Sequence, residues 1–291
     1  MFQGSIVALI TPMLQDGSVD KEALRKLIEW HVRSKTNALV ICGTTGESAT
    51  LSDEEQQDLI VFTVKEAAGR IPIIAGTGSN STETTLKLTY NAEKAGAQAA
   101  LLVTPYYNTP TQNGLYQHYK TIAEQCHIPI ILYNVPSRTG CDLLPETVER
   151  LSKLPRIIGI KEATGNIDRA VEIRKRCRQN FLIYSGNDDS ALELMRNGAN
   201  GVISVTANVA PVKMQALCQT ALDGDKKTAE KINQELLGLH HKLFVESNPI
   251  PTKWALHQMG LINDGIRLPL TILDQKYHAE MVEAMRQAGI F

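Results

Sequence analysis

The sequence predicts an α/β fold of the (β/α)₈, or TIM-barrel, type with a C-terminal helical extension. Three observations predict it. Eight short apolar runs alternate with helical patterns as far as residue 222. The starts of these runs recur at intervals of roughly 20 to 35 residues, the scale of a βα repeat. The runs are near-continuously apolar, as parallel strands covered on both faces must be. The barrel is assigned to residues 1–223 and a packed helical extension to 224–291.

Taken in order, strands are expected at 5–11, 38–42, 72–76, 99–103, 128–134, 157–161, 181–185 and 201–204. Pro12 closes the first, and Asp16-Gly17 marks a turn. Asp20 is placed to cap a helix whose apolar face includes Leu24, Leu27, Ile28 and His31. Ser52 with Glu55 three residues on is a capping box. Ser81 opens a helix that Gly96 stops. After residue 223 the pattern is helical only, near 225–244, 250–259 and 275–288. The rival architecture is an open doubly wound sheet. Its glycine-rich turn could only be Gly76-Thr77-Gly78, and Ser81 stands where a dinucleotide fingerprint needs its third glycine.

Composition excludes several functions. A net charge of -1 offers no basic surplus for nucleic acid or an anionic membrane. No apolar run is long enough to span a bilayer. The first basic residue is Lys21, so no charged start of a signal peptide is expected. Cys42, Cys126, Cys141, Cys177 and Cys218 are scattered and odd in number, which fits a reduced, cytoplasmic protein. The seven histidines show no metal-ligand spacing, so no metal is expected. No serine sits in a G-x-S-x-G elbow.

In such a barrel the active site lies at the C-terminal strand ends. Strand six ends on Lys161. Alternation puts Gly159 and Lys161 on one face and Ile158, Ile160 and Glu162 on the other. Lys161 then points into the barrel while Glu162 points away. A snorkelling surface lysine is the ordinary alternative. A desolvated amine that deprotonates easily and attacks a carbonyl fits the interior face better. Tyr133 falls on the same interior one strand away, as a proton relay or as an aromatic plug. Thr44 and Thr45, in Gly43-Thr44-Thr45-Gly46-Glu47, are either turn chemistry or a hydroxyl relay and carboxylate cradle. Tyr106 and Tyr107 are loop aromatics that would also suit an interface. Arg138 lies in a turn of Pro, Ser and Gly and is either a carboxylate grip or a solvated arginine. Asp188 and Asp189 are read as caps for the helix after strand seven.

Three motifs together are specific: Gly43-Thr44-Thr45-Gly46-Glu47, Tyr133-Asn134-Val135-Pro136-Ser137-Arg138-Thr139-Gly140 and Gly159-Ile160-Lys161-Glu162-Ala163-Thr164-Gly165. They resemble the dihydrodipicolinate synthase family of pyruvate-dependent class I aldolases. The likeness extends from Gly4-Ser5-Ile6-Val7 to Asn248-Pro249-Ile250-Pro251 and Arg267-Leu268-Pro269. The resemblance implies condensation of pyruvate with aspartate semialdehyde, an early step of diaminopimelate and lysine biosynthesis. Lys161 would form the Schiff base with pyruvate. Tyr133 would relay protons with Thr44 and with Tyr107 of a neighbouring subunit. Thr45 and the backbone near Gly186 and Ile203 would hold the pyruvate carboxylate. Arg138 would hold that of the second substrate; related sugar-acid lyases typically lack this arginine. The implied assembly is a homotetramer, a dimer of dimers. No organic cofactor is implied, because Lys161 itself supplies the electron sink. The alternatives are a Schiff-base lyase for N-acetylneuraminate or keto-deoxy sugar acids, and a non-catalytic pyruvate-binding barrel.

Ser48, Ala49, Asn80 and Tyr106 match the site at which the family's lysine-sensitive members bind lysine. Those members are expected to carry histidine at 53, histidine or glutamate at 56 and glutamate at 84. This chain has Asp53, Gln56 and Thr84. Glu83 is one residue away, about 100° round a helix. Weak or absent lysine feedback is expected.

Overall fold

Eight parallel strands close into a barrel in chain order: β1 (Gly4–Ala8), β2 (Ala38–Ile41), β3 (Ile73–Gly76), β4 (Ala99–Val103), β5 (Ile130–Asn134), β6 (Ile157–Glu162), β7 (Leu182–Ser185) and β8 (Gly201–Ser204). The computed structural model describes residues 2–291. β8 returns to β1 with Ile203 opposite Ile6, so the sheet has no free edge. The apolar runs end up covered on both sides, as their composition demands. Ile6, Ala8, Val40, Ile74, Leu101, Ile131 and Ile203 fill the interior. Val7, Leu39, Ile73, Leu102, Leu132 and Ile160 face the surrounding helices.

The helix boundaries follow local chemistry. The Asp20 side chain accepts from the Ala23 N–H to open helix Lys21–Arg33. Ser52 and Glu55 form the reciprocal box at the head of Asp53–Ala67. Ser81 caps Thr82–Ala95, and Gly96 ends it at φ +90. His31 is fully buried, its Nδ1 2.9 Å from the Thr36 hydroxyl.

The tail forms helices Lys226–Lys242, Ile250–Gln258 and His278–Gln287. Leu236, Leu239, Met281 and Met285 join the same core that lies between strands and helices. The segment between the last two of these helices runs back to the strand ends. There Gly265 lies against the chain at Met13 and Leu14; a Cβ on it would come within 2.1 Å of the Leu14 carbonyl oxygen.

One strand departs from simple alternation. Ile130 pairs with Ile157 but Ile131 pairs with Gly159, which leaves Ile158 as an extra residue. Ile158 therefore packs against the barrel interior instead of sharing the outer face with Ile160. Gly159 permits this, since a Cβ there would lie 2.5 Å from the Leu182 carbonyl oxygen. Beyond the irregularity the parity is restored, with Lys161 inward and Glu162 outward.

Candidate active site

The register of β5 and β6 sets Tyr133 directly beside Lys161. Lys161 is 5% exposed and Tyr133 7%. The Lys161 Nζ lies 4.4 Å from the centroid of the phenol ring, within range of a cation–π contact. Among the described residues no carboxylate lies within ion-pair distance of that amine. Ile203, on β8, is fully buried among the interior side chains of the same barrel.

Behind these two residues the outward side chains form a polar seam. Asn134 and Glu162 are register partners, and the Asn134 Nδ2 donates to Glu162 Oε2 at 3.3 Å and to Asp142 Oδ1 at 3.0 Å. The Thr164 N–H donates to Glu162 Oε1 at 2.8 Å, and Arg169 pairs with Asp142 at 3.0 Å. Burial raises the Glu162 carboxyl above its ordinary value, against those hydrogen bonds and the nearby guanidinium. The seam ties together the strands that carry the lysine and the tyrosine.

Residues 43–47 are held differently. They form an irregular turn, flanked by two non-glycine residues with left-handed backbone, Cys42 and Glu47, both at φ +57. The chain fits only because residue 76 is glycine: a Cβ there would come within 2.3 Å of the Cys42 carbonyl oxygen. Thr45 is 2% exposed. The Asn248 Nδ2 donates to its Oγ1 at 2.8 Å. Among the described residues neither the Thr44 N–H nor the Thr45 N–H has an acceptor, an arrangement suited to an anion.

The tail braces this turn. Lys253 Nζ sits 2.5 Å from Glu47 Oε1, with both side chains almost wholly buried. Burial holds the Lys253 ammonium below its ordinary value, against the pull of Glu47. The Arg267 N–H donates to Glu47 Oε2 at 3.2 Å. Its guanidinium donates to the Thr50 and Gly17 carbonyls and grips Glu55 with two nitrogens. None of Asn248, Lys253 and Arg267 stood out as a site residue in the sequence. Asn248 and Arg267 lie in segments noted for their family likeness without a role, and Lys253 is a lysine inside the otherwise uncharged stretch 248–256.

Arg138 stands on a one-turn helix, Pro136–Thr139, where an open turn was expected. It is exposed, and its Nη2 donates to the Asn248 backbone carbonyl at 3.4 Å. A cavity of about 230 Å³ brings Thr44, Arg138, Ser48, Ala49 and Tyr106 together. Asn80 lies outside its lining; its carbonyl accepts from Asn108 Nδ2. Tyr107 is 90% exposed at φ +74, so a single chain does not bury it in its own site. Gly186 donates its N–H to the Glu162 carbonyl at 2.8 Å, which engages that donor within the chain. Its lack of a side chain lets Ala163 approach: a Cβ on it would lie 2.4 Å from the Ala163 Cβ.

Asp188 is not a helix cap. Helix Ala191–Arg196 starts at Ser190 without a side-chain cap. The Asp188 Oδ2 instead accepts from the Val205 and Thr206 N–H groups, both at 2.9 Å, and so secures the turn after β8.

The sequence model of the Dihydrodipicolinate synthetase family matches residues 1–288. The chain is 59% identical over 290 residues to the 4-hydroxy-tetrahydrodipicolinate synthase of Methylococcus capsulatus, covering 100% of both chains. It is 58% identical to the enzyme of that name from Pseudomonas aeruginosa, over 100% of this chain and 99% of that one. Among solved structures, dihydrodipicolinate synthase from Acinetobacter baumannii, chloride-inhibited and complexed with pyruvate, superposes with a TM-score of 0.98 at 54% identity and full coverage of both chains. Dihydrodipicolinate synthase from Aquifex aeolicus gives 0.97 at 48%, with 99% of each chain covered.

Proposed function

The chain belongs to the dihydrodipicolinate synthetase family, and on that premise we propose that it condenses pyruvate with L-aspartate 4-semialdehyde through an imine on Lys161. The observation that carries the reading is a buried amine with no carboxylate partner, set over the Tyr133 ring at the C-terminal mouth of a barrel. The Lys161 amine attacks the pyruvate ketone carbon, and water leaves as the imine forms. Loss of a methyl proton gives an enamine, whose carbon attacks the aldehyde of the second substrate. The amino group of that substrate then displaces Lys161 and closes the ring.

The remaining assignments follow the chemistry of each position. Tyr133 and Thr44 pass protons, and Tyr107 of a neighbouring copy completes the relay, consistent with its exposure here. Thr45 and the free N–H groups of its turn hold the pyruvate carboxylate beside Ile203 and Gly186. Arg138 takes the carboxylate of the second substrate, and its presence favours this reaction over sugar-acid cleavage. The assembly is a homotetramer and the compartment the cytoplasm; no helix of the described residues is long and apolar enough to cross a membrane. Borohydride reduction in the presence of pyruvate, read by peptide mass, tests the central step. Lys161 should carry the adduct, and Lys161→Ala should abolish it without lowering the melting temperature. An unlabelled wild-type Lys161 ends the catalytic reading.

Lysine feedback should be weak or absent. Asp53 already holds Lys87 at 2.8 Å. The Gln56 Nε2 is committed to the Ser48 and Leu51 carbonyls. Thr84 offers no charge for an ammonium, and Glu83 points to solvent. Initial rates should be insensitive to micromolar L-lysine; half-inhibition in that range would show that other groups replace the missing partners.

A further inference from the structure

We propose that Asn248 is a positioning residue that couples the two carboxylate subsites, a role that rests on the pyruvate reading above. Asn248 arrives from the tail and is 5% exposed. It makes three contacts, each with a separate consequence. Its Nδ2 donates to Thr45 Oγ1 at 2.8 Å. Its Oδ1 accepts from the Thr252 hydroxyl at 3.2 Å. Its backbone carbonyl accepts from Arg138 Nη2 at 3.4 Å.

A threonine hydroxyl has one proton and can accept as well as donate. In the structure the Asn248 amide presents its Oδ1 to the Thr252 hydroxyl and its Nδ2 donor to Thr45. Thr45 Oγ1 is thereby an acceptor on its protein side, and its own proton is left for another partner. Among the described residues it donates to none. Together with the unpaired Thr45 N–H, the turn presents two donors from one residue, the pair that a carboxylate accepts. On the other side, the Asn248 carbonyl engages one guanidinium nitrogen of Arg138. A neutral acceptor leaves the positive charge uncompensated and the other N–H groups free for a second carboxylate. One buried residue thus sets the proton direction at one subsite and the guanidinium position at the other. The Lys253–Glu47 pair, five residues further on, fixes the tail against the same turn.

Steady-state kinetics on Asn248→Ala, Thr45→Val and the double variant test this. Asn248→Ala should raise the KM for pyruvate about tenfold, the scale of one lost hydrogen bond to a charged group. The KM for the semialdehyde should move less, since the backbone carbonyl that Arg138 engages survives the substitution, and kcat should change less than the pyruvate KM. Thr45→Val should raise the pyruvate KM by a similar factor, and the double variant should raise it no further than the larger single effect. Two results overturn the inference: pyruvate KM effects that multiply in the double variant, or folded Asn248→Ala with a wild-type KM for pyruvate. A fall in kcat alone counts with the second, since it reports lost active enzyme. Should Asn248→Ala not fold, Thr252→Val replaces it. Its smaller rise in pyruvate KM must vanish in the Thr45→Val background, and persistence overturns the inference. Absence of any wild-type pyruvate adduct removes the parent reading as well, whereas an intact adduct with multiplying effects removes only this one.

Discussion

Lys161 and Tyr133 sit on neighbouring strands; Thr44 and Thr45 sit on a turn with left-handed residues at both ends. The two halves of the site are held in place by different means. The strand pair is positioned by the β5–β6 ladder and sealed behind by Asn134 and Glu162. Those supports are local to the sheet. The turn has no ladder of its own. It depends on a glycine in the next strand and on three side chains from the tail. A barrel thus supplies its strand-end groups with geometry as part of its fold, whereas a loop-borne group needs separate construction.

The sharpest way to break the comparison is to disarm the brace. Lys253→Met leaves Glu47 buried without its partner, which should cost about 3–5 kcal/mol. The Glu47→Gln/Lys253→Met double variant should recover most of that loss. Denaturant midpoints measure both; a single variant as stable as wild type would show that the turn does not rely on the pair. Gly76→Ala comes next. Its Cβ must displace the Cys42 carbonyl, and a loss of about 1–3 kcal/mol is expected for overpacking of this kind. A wild-type midpoint would mean the turn yields freely, and the contrast with the strands would weaken.

The smallest effect is a pH dependence. Hydrogen bonding from Arg267 holds the Glu55 carboxyl at about 2, down from the ordinary 4.5. A depressed folded-state pKa stabilises fully above the unfolded value and is lost as pH falls through the folded one. The melting-temperature gap between wild type and Arg267→Leu should be constant above about pH 5 and narrow toward pH 2. The pair is about a third exposed at Glu55, so the electrostatic contribution should stay within about 1 kcal/mol. A gap that widens in acid would assign the arginine's contribution to something other than Glu55.

The same contrast explains what could be read from the residues alone. Strand parity is a local property, so Lys161 and Tyr133 were visible as interior groups and Glu162 as an outward one. Parity went wrong at Ile158, where the irregularity depends on Gly159 meeting its register partner Leu182 on the neighbouring strand β7. Asp188 was read as a cap because a carboxylate before a helix usually is one. Its real partners, the N–H groups of residues 205 and 206, are fixed by how β7 and β8 pack. Asn248 stands in a segment that resembles the family, but nothing local gives it a role, because its partners lie far away in sequence. Lys253 carried a usable hint, a charge among apolar neighbours that had to be paired to be buried.

The brace also has a consequence for the order of synthesis. Asn248 meets Thr45 across 203 residues of chain, Lys253 meets Glu47 across 206, and Arg267 meets Glu55 across 212. A chain emerging from the ribosome can pair β1 with β8 once residue 204 is free, and domains organise from the N-terminus as they appear. The turn at 43–47, among the first parts made, then waits for nearly the whole polypeptide before its supports arrive. Chains cut short within the tail would lack the side chains that hold this turn. The arrival of the last part of the chain is thereby registered at one of its earliest turns.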